Sequence, residues 1–213
     1  MADLRTASEP RARFRREAPE ERRRQLGEAA LRCIVKHGNA GVSVRQIAAE
    51  AGVSPGLITH HFGELDELVA YAFDLMADGI LQSISAAVAA APPSPEARLD
   101  AFVEASFSPL LFDRGVLGVW VVFWGLILHS PRMGSAQKRE YGSYLTTVEG
   151  LIADLAAAEG FAVADVPLAA IAFTALLDGL WLAWCLNPEA FRPEDGVALC
   201  HKWLDGLRRG SHA

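Results

Sequence analysis

Apolar residues recur along most of this chain at intervals of three and four, the period of a helix with one buried face. From Pro19 onward, Leu26, Ala30, Cys33, Ile34 and His37 fall on one such face, and Gly38 stands where a helix would stop. Ser43 and Gln46 have the spacing of a capping box. Val44, Ile47, Ala48 and Ala51 then mark the inner side of a short helix closed by Gly52. Ser54 can cap a third helix with Pro55 at its first position, where the missing N–H costs nothing, and Ile58 and Phe62 form its inward face. Two short helices joined by the tight Ala51-Gly52-Val53 turn have the spacing of a helix-turn-helix.

Beyond Gly63, the residues Leu65, Leu68, Val69, Ala72, Met76 and Ile80 carry a long fourth helix that fades near Ala91, where Pro92-Pro93-Ser94-Pro95 breaks the chain. Further helices are predicted over about 95–108, 113–129, 132–159, 165–186 and 193–208, punctuated by Pro109, Pro131, Gly160, Pro167, Pro188 and Pro193. No stretch alternates with period two for long, and no internal repeat is visible. The expected fold class is therefore all-α, a small three-helix head followed by a larger helical body.

Composition adds direction. With 213 residues, 51% hydrophobic and 22% charged, the chain can bury one sizeable core or two unequal ones, with disorder expected only at its ends. A net charge of −6 speaks against a protein that coats nucleic acid, but the layout is lopsided. Residues 1–62 hold eleven Lys and Arg against seven Asp and Glu, a balance of +4, and the remainder nine against nineteen, a balance of −10. A basic head on an acidic body can approach a phosphate backbone in one orientation only. Cys33, Cys185 and Cys200 are odd in number and far apart, so they read as buried small hydrophobes in a reducing cytosol rather than as disulfides or zinc ligands. The Arg-rich start lacks an apolar h-region, so export is not expected and the chain reads as cytoplasmic. Of the two most apolar segments, 115–128 is too short to span a membrane and 169–186 holds Asp178 near its middle; both read as core helices, and no membrane partner is expected. No Gly-rich phosphate loop, His-Glu-x-x-His, Glu-x-x-His pair or nucleophile elbow is present, so neither an enzyme nor a cofactor or metal is expected.

The stretch Ser43-Val44-Arg45-Gln46-Ile47-Ala48-Ala49-Glu50-Ala51-Gly52-Val53-Ser54-Pro55-Gly56-Leu57-Ile58-Thr59-His60-His61-Phe62, followed by Leu68, resembles the head of TetR-type regulators. The body resembles the BetI-like branch of that family through Val119-Trp120-Val121-Val122-Phe123-Trp124, His129-Ser130-Pro131 and Leu177-Asp178-Gly179-Leu180-Trp181-Leu182. The resemblance implies a homodimeric regulator of transcription, a repressor released from a palindromic double-stranded DNA operator when a small-molecule effector arrives. The expected domains are then a flexible basic arm at 1–18, a helix-turn-helix DNA-binding unit at 19–63 and a ligand-sensing and dimerisation unit at 64–213. An all-helical enzyme or an interaction scaffold using the apolar body stands as the alternative.

If Ile58 and Phe62 point inward, then Pro55, Leu57, Thr59 and His60 point outward on a helix of a size that fits the major groove. The candidate DNA contacts are Ser43, Arg45, Ser54, Pro55, Gly56, Leu57, Thr59, His60 and His61. Ser43 and Arg45 are placed to hold phosphate, Thr59 and the histidines to bond base edges or phosphate, and Leu57 to touch a thymine methyl, while Gly56 permits close backbone approach. The histidines also read as ordinary surface residues, and Arg22-Arg23-Arg24 reads equally as a solvated helix face. TetR-type heads usually place a Lys at the start of the fourth helix. Here Leu65 stands there between Glu64 and Asp66, which removes one phosphate grip and leaves the basic arm to compensate.

In the body, Trp120, Phe123 and Trp124 share one helix and Trp181 and Trp184 another, while Asp178 sits amid Leu176, Leu177, Leu180 and Trp181, where a carboxylate must be exposed, paired or neutralised. A cationic ligand held by aromatic faces and one acid satisfies both features, each cation–π contact contributing about 0.5 to 2 kcal/mol. An Asp paired to Arg or His, with the tryptophans as core, satisfies them equally. The candidate ligand residues are Trp120, Phe123, Trp124, Asp178 and Trp181, and the BetI-like resemblance implies choline, betaine aldehyde or a related quaternary amine. His129 and His201 read as structural. Leu145, Val148, Ile152 and Leu155, with Phe173, Leu176, Leu177 and Leu180, form the seams expected to pair helices in a dimer bundle.

Overall fold

The computed structural model describes residues 19–210, so the expected basic arm at 1–18 lies outside the described residues. Among them are nine α-helices and no strand: α1 (Pro19–His37), α2 (Val44–Ala51), α3 (Pro55–Phe62), α4 (Leu65–Ala90), α5 (Pro95–Ser106), α6 (Arg114–Ile127), α7 (Pro131–Glu159), α8 (Val166–Leu186) and α9 (Pro193–Arg208), with a single 3-10 turn over Gly38–Gly41. The chain is all-α, as its periodicity predicts, and the ends follow the local chemistry. The Ser43 hydroxyl accepts the Gln46 N–H at the start of α2, and Gly52 closes it at φ +66, a conformation that favours glycine. Asp113, Ser130 and Asp165 cap α6, α7 and α8 with side-chain oxygens. His37, which spacing placed on the inner face of α1, is exposed, because the backbone turns away at Gly38 with φ +59.

Buried side chains gather in two clusters, and the line between them does not fall at residue 63. The first joins Leu26, Ile34, Ile47, Ile58 and Phe62 of the head to Leu68 and Phe73 of α4, and also to Val119 and Phe123 of α6 and Met133 of α7. The second holds Ile84 and Val88 of α4 with Leu99 and Phe102 of α5, Val148, Ile152 and Leu155 of α7, Phe173 and Leu177 of α8, and Cys200 and Leu204 of α9. Helix α4 therefore runs from one core into the other. Its first turns are also tied to α7: the Ser130 hydroxyl donates to Asp66 at 2.8 Å, Arg132 pairs with Glu67 at 3.0 Å and Arg139 with Asp74 at 2.8 Å.

The seams read as dimer surfaces are used differently. Val148, Ile152, Leu155, Phe173 and Leu177 are buried inside the single chain, where α7 packs on α8. The apolar face left open on α8 is another one, with Leu168 61%, Ile171 46% and Leu186 69% exposed and the small residues Ala172, Ala175, Gly179 and Ala183 exposed between them. A helix this apolar on every side has no moment to tell its inner seam from its outer one. By length and composition α4 and α8 both reach the threshold for a membrane span, but α4 carries Asp74 and Asp78 near its middle and α8 carries Asp178.

Candidate DNA-facing helix and effector cavity

Helix α3 is pinned from beneath. Ile58 and Phe62 are 1% and 2% exposed, and Arg23 of α1 reaches across to donate to the His61 carbonyl while its guanidinium lies 4.1 Å from the centre of the Phe62 ring. On the other side Ser54, Pro55, Gly56, Thr59 and His60 are exposed, and Leu57 and His61 are half-buried. A Cβ added at Gly56 would meet nothing within 4 Å, so the approach to the backbone there is open. The Thr59 hydroxyl donates back to the Pro55 carbonyl at 3.5 Å. Burial, followed by the neighbouring His60 and Arg23, lowers the His61 pKa below its ordinary value.

Around α3 the polar groups divide. Arg45 is exposed on the first turn of α2, whereas the Ser43 hydroxyl is committed to the cap and donates to Gln46 Oε1 at 2.7 Å. Within the arginine run, Arg23 is turned into the head and Arg24 bonds Glu21 and Glu28 along α1. Leu65 is half-buried against the head core, so the first turn of α4 offers the acids Glu64 and Asp66 in place of a cation.

The body contains a cavity of about 100 Å³ between α4, α6, α7 and α8, room for several water-sized molecules. Trp120, Trp124, Asp178 and Trp181 line it together, as the sequence reading grouped them. Phe123 does not. It is fully buried behind the wall, its ring edge-on to Phe73 at 5.4 Å, because one residue back from Trp124 on a helix is a turn of about 100°. Phe73, Gln137, Glu140, Tyr141, Tyr144 and Thr174 complete the lining. The α7 members fall at i, i+3, i+4 and i+7 and continue the seam of Val148, Leu151 and Leu155 toward the N-terminus. A seam that changes from apolar to aromatic and acidic was the signal available for them.

The walls are held firmly. Trp181 donates to the Ser106 carbonyl at 3.1 Å, and Phe73 meets Trp120 edge-on at 5.4 Å. The contents are not. Asp178 has no ion pair or hydrogen bond among the described residues, and burial pushes its pKa up to about 6. The Thr174 hydroxyl and the Trp120 Nε1–H are buried without a partner among the described residues. Both charged residues of the lining, Glu140 and Asp178, are acids, so the site is electrostatically suited to a cation.

Most of the described chain is similar to known proteins. Residues 26–72 match the family model described as bacterial regulatory proteins of the tetR family, and residues 95–209 match the BetI-type transcriptional repressor C-terminal model. The transcriptional regulator BetI of Paraburkholderia phytofirmans is 30% identical over 186 residues, covering 87% of this chain and 93% of its own. A transcriptional regulator candidate from Pseudomonas aeruginosa PAO1 has a similar structure, with TM-score 0.86 and 44% identity over 94% of this chain and 97% of its own. Another from Saccharomonospora viridis, solved in complex with choline, has TM-score 0.77 at 22% identity, over 87% of this chain and 96% of its own.

Proposed function

The chain belongs to the TetR family of bacterial regulatory proteins, with a BetI-type C-terminal region, and on that premise we propose that it is a homodimeric repressor released from DNA by a small cationic amine. Residues 19–63 read the operator and 64–213 sense and dimerise, although the two parts share a core. In this reading α3 enters the major groove with Thr59, His60 and the exposed edge of Leu57 toward the bases, and Arg45 grips phosphate. Two such helices in a two-fold dimer serve half-sites about 34 to 36 Å apart, hence a palindromic operator in the cytoplasm. The open apolar face of α8, with Leu168, Ile171 and Leu186, is the surface that a second copy covers.

One observation carries the effector reading: an unpaired, largely buried carboxylate, Asp178, among aromatic rings in a cavity that lies across α4 between the two cores. Amines of the choline class suit it, and the Saccharomonospora relative was solved with choline. An occupant bears on Phe73 and Ala77 of α4, the helix whose first turns carry the head. Moving the dimer from 99% competent to 1% requires about 5.5 kcal/mol of differential binding between its two forms.

The test is a gel-shift titration on the palindrome upstream of the protein's own gene. Choline should release the natural protein, while Asp178→Asn binds the operator equally well and is not released. DNA that stays bound whatever amine occupies the cavity overturns the switch.

A further inference from the structure

Three further features of the cavity point past a single-headed amine. The first is a crowd of carboxylates around Glu140, at one end of its lining. Asp74 and Asp78 lie one turn apart on α4, an arrangement in which like charges repel, and Glu140 of α7 lines the cavity with its pKa raised by burial first and then by Asp78 and Asp74. Arg139 answers them, 2.8 Å from Asp74 and 3.4 Å from Glu140, and Asp78 has no ion pair among the described residues. Asp178 lines the cavity from a different helix, α8, with Thr174 and Trp181. There are two anionic centres, with four carboxylates against one guanidinium.

The second feature is length. The walls run from Phe73 to Leu81 on α4, from Gln137 to Tyr144 on α7 and from Thr174 to Trp181 on α8, each roughly 10 to 12 Å at the helical rise. The third is Thr174. It is 1% exposed, its hydroxyl has no partner among the described residues, and it lines the cavity one turn before Asp178 on the same helix. A primary ammonium carries N–H donors for the Asp178 carboxylate and the Thr174 oxygen together, whereas a trimethylammonium head carries none.

We propose that the effector is a linear diamine or polyamine, with one ammonium between Asp178 and Thr174, a methylene stem against Trp120 and Tyr144, and a second ammonium beside Glu140 and Asp78. The proposal rests on the cationic-ligand reading above and narrows it. The rings shield the stem from water, and the second charge relieves a repulsion that the chain alone leaves in place.

Isothermal titration of the full-length protein with spermidine, putrescine and choline tests it, alongside Asp78→Asn and Glu140→Gln. Spermidine should bind at least about tenfold more tightly than choline. Glu140→Gln should weaken spermidine by about five- to tenfold, the scale of one half-buried charge contact, and Asp78→Asn, at an exposed position, by about three- to fivefold, while choline stays within about twofold. Asp78 is exposed, so its substitution does not endanger the fold, and operator binding checks both variants. Choline binding as tightly as spermidine, or substitutions of Asp78 and Glu140 that leave spermidine unmoved, overturns the two-ended ligand and leaves the cationic reading standing. If none of the three amines binds, both are overturned.

Discussion

The head and the cavity treat their enclosed polar groups in opposite ways. In the head, Arg23 bonds the His61 carbonyl, lies over Phe62 and pairs with Glu67 at 3.7 Å; Glu50 takes both Arg32 at 3.0 Å and Lys36 at 2.7 Å, whose hydrogen bonds hold its carboxyl below the usual range. In the cavity, Asp178, the Thr174 hydroxyl and the Trp120 N–H go unanswered. A buried polar group without a partner costs about 1 to 3 kcal/mol, so such a set persists where something else supplies the partners. The head is complete as a rigid surface for presenting α3. In the proposed reading an occupant completes the body, and that is where binding free energy is available to move a conformational equilibrium.

The contrast is broken most severely from the head side. Phe62→Ala removes a ring that touches Arg23 and sits 5.4 Å from Tyr71, at an expected cost of about 3 to 5 kcal/mol. Because the cluster around Phe62 also contains Val119, Phe123 and Met133, urea unfolding of the variant should remain a single transition, shifted to lower denaturant, with amine binding weakened along with DNA binding. Two separated transitions would show that the head has a core of its own and that α4 does not join it to the cavity.

From the cavity side the sign reverses. Asp178 has an ordinary pKa of 3.8, raised by burial to about 6 in the folded chain. Between those values the folded state holds more protons than the unfolded one, so stability falls as pH rises from about 4 to about 6 and stays lowered above it. The ionised form costs on the order of 2 to 3 kcal/mol. Asp178→Asn should therefore melt higher than the natural protein at pH 7.5 without ligand, and the gap should close near pH 4. A variant less stable at pH 7.5 would mean that Asp178 has a partner in the free protein.

What the chain disclosed in advance follows the same divide. Helix α3 and its inward pair could be read because Ser54 at the N-cap position, Pro55, Ile58 and Phe62 lie within nine residues, although the Ser54 side chain makes no cap bond, and local spacing determines which side faces the core. Asp178, Trp120, Trp124 and Trp181 stood out as chemistry in apolar company. Phe73, Glu140, Tyr141 and Thr174 did not, because four helices meet there and the packing angle decides which residues border the gap. Phe123 shows the cost of the missing angle, an aromatic between two cavity residues that is buried in the first cluster instead of bordering the gap. The dimer seam failed for a related reason, since α8 is apolar all round and both of its faces satisfy the same pattern.

The smallest expected effect separates an unfinished cavity from one merely poorly packed. Thr174 sits at 1% exposure on α8 with its hydroxyl unpaired, one turn from Asp178. Thr174→Val keeps the shape and deletes only that hydroxyl. Elsewhere the exchange costs stability because the hydroxyl is bonded, but here no bond is lost, and the free protein should be unchanged or stabilised by up to about 1 kcal/mol. The same substitution should weaken an amine that donates to the oxygen, so the two melting curves, with and without ligand, should move toward each other. A stability loss near 1 kcal/mol in the free protein would mean that Thr174 is already bonded there, by an ordered water. The cavity would then be satisfied before the ligand arrives, and its contrast with the head would disappear.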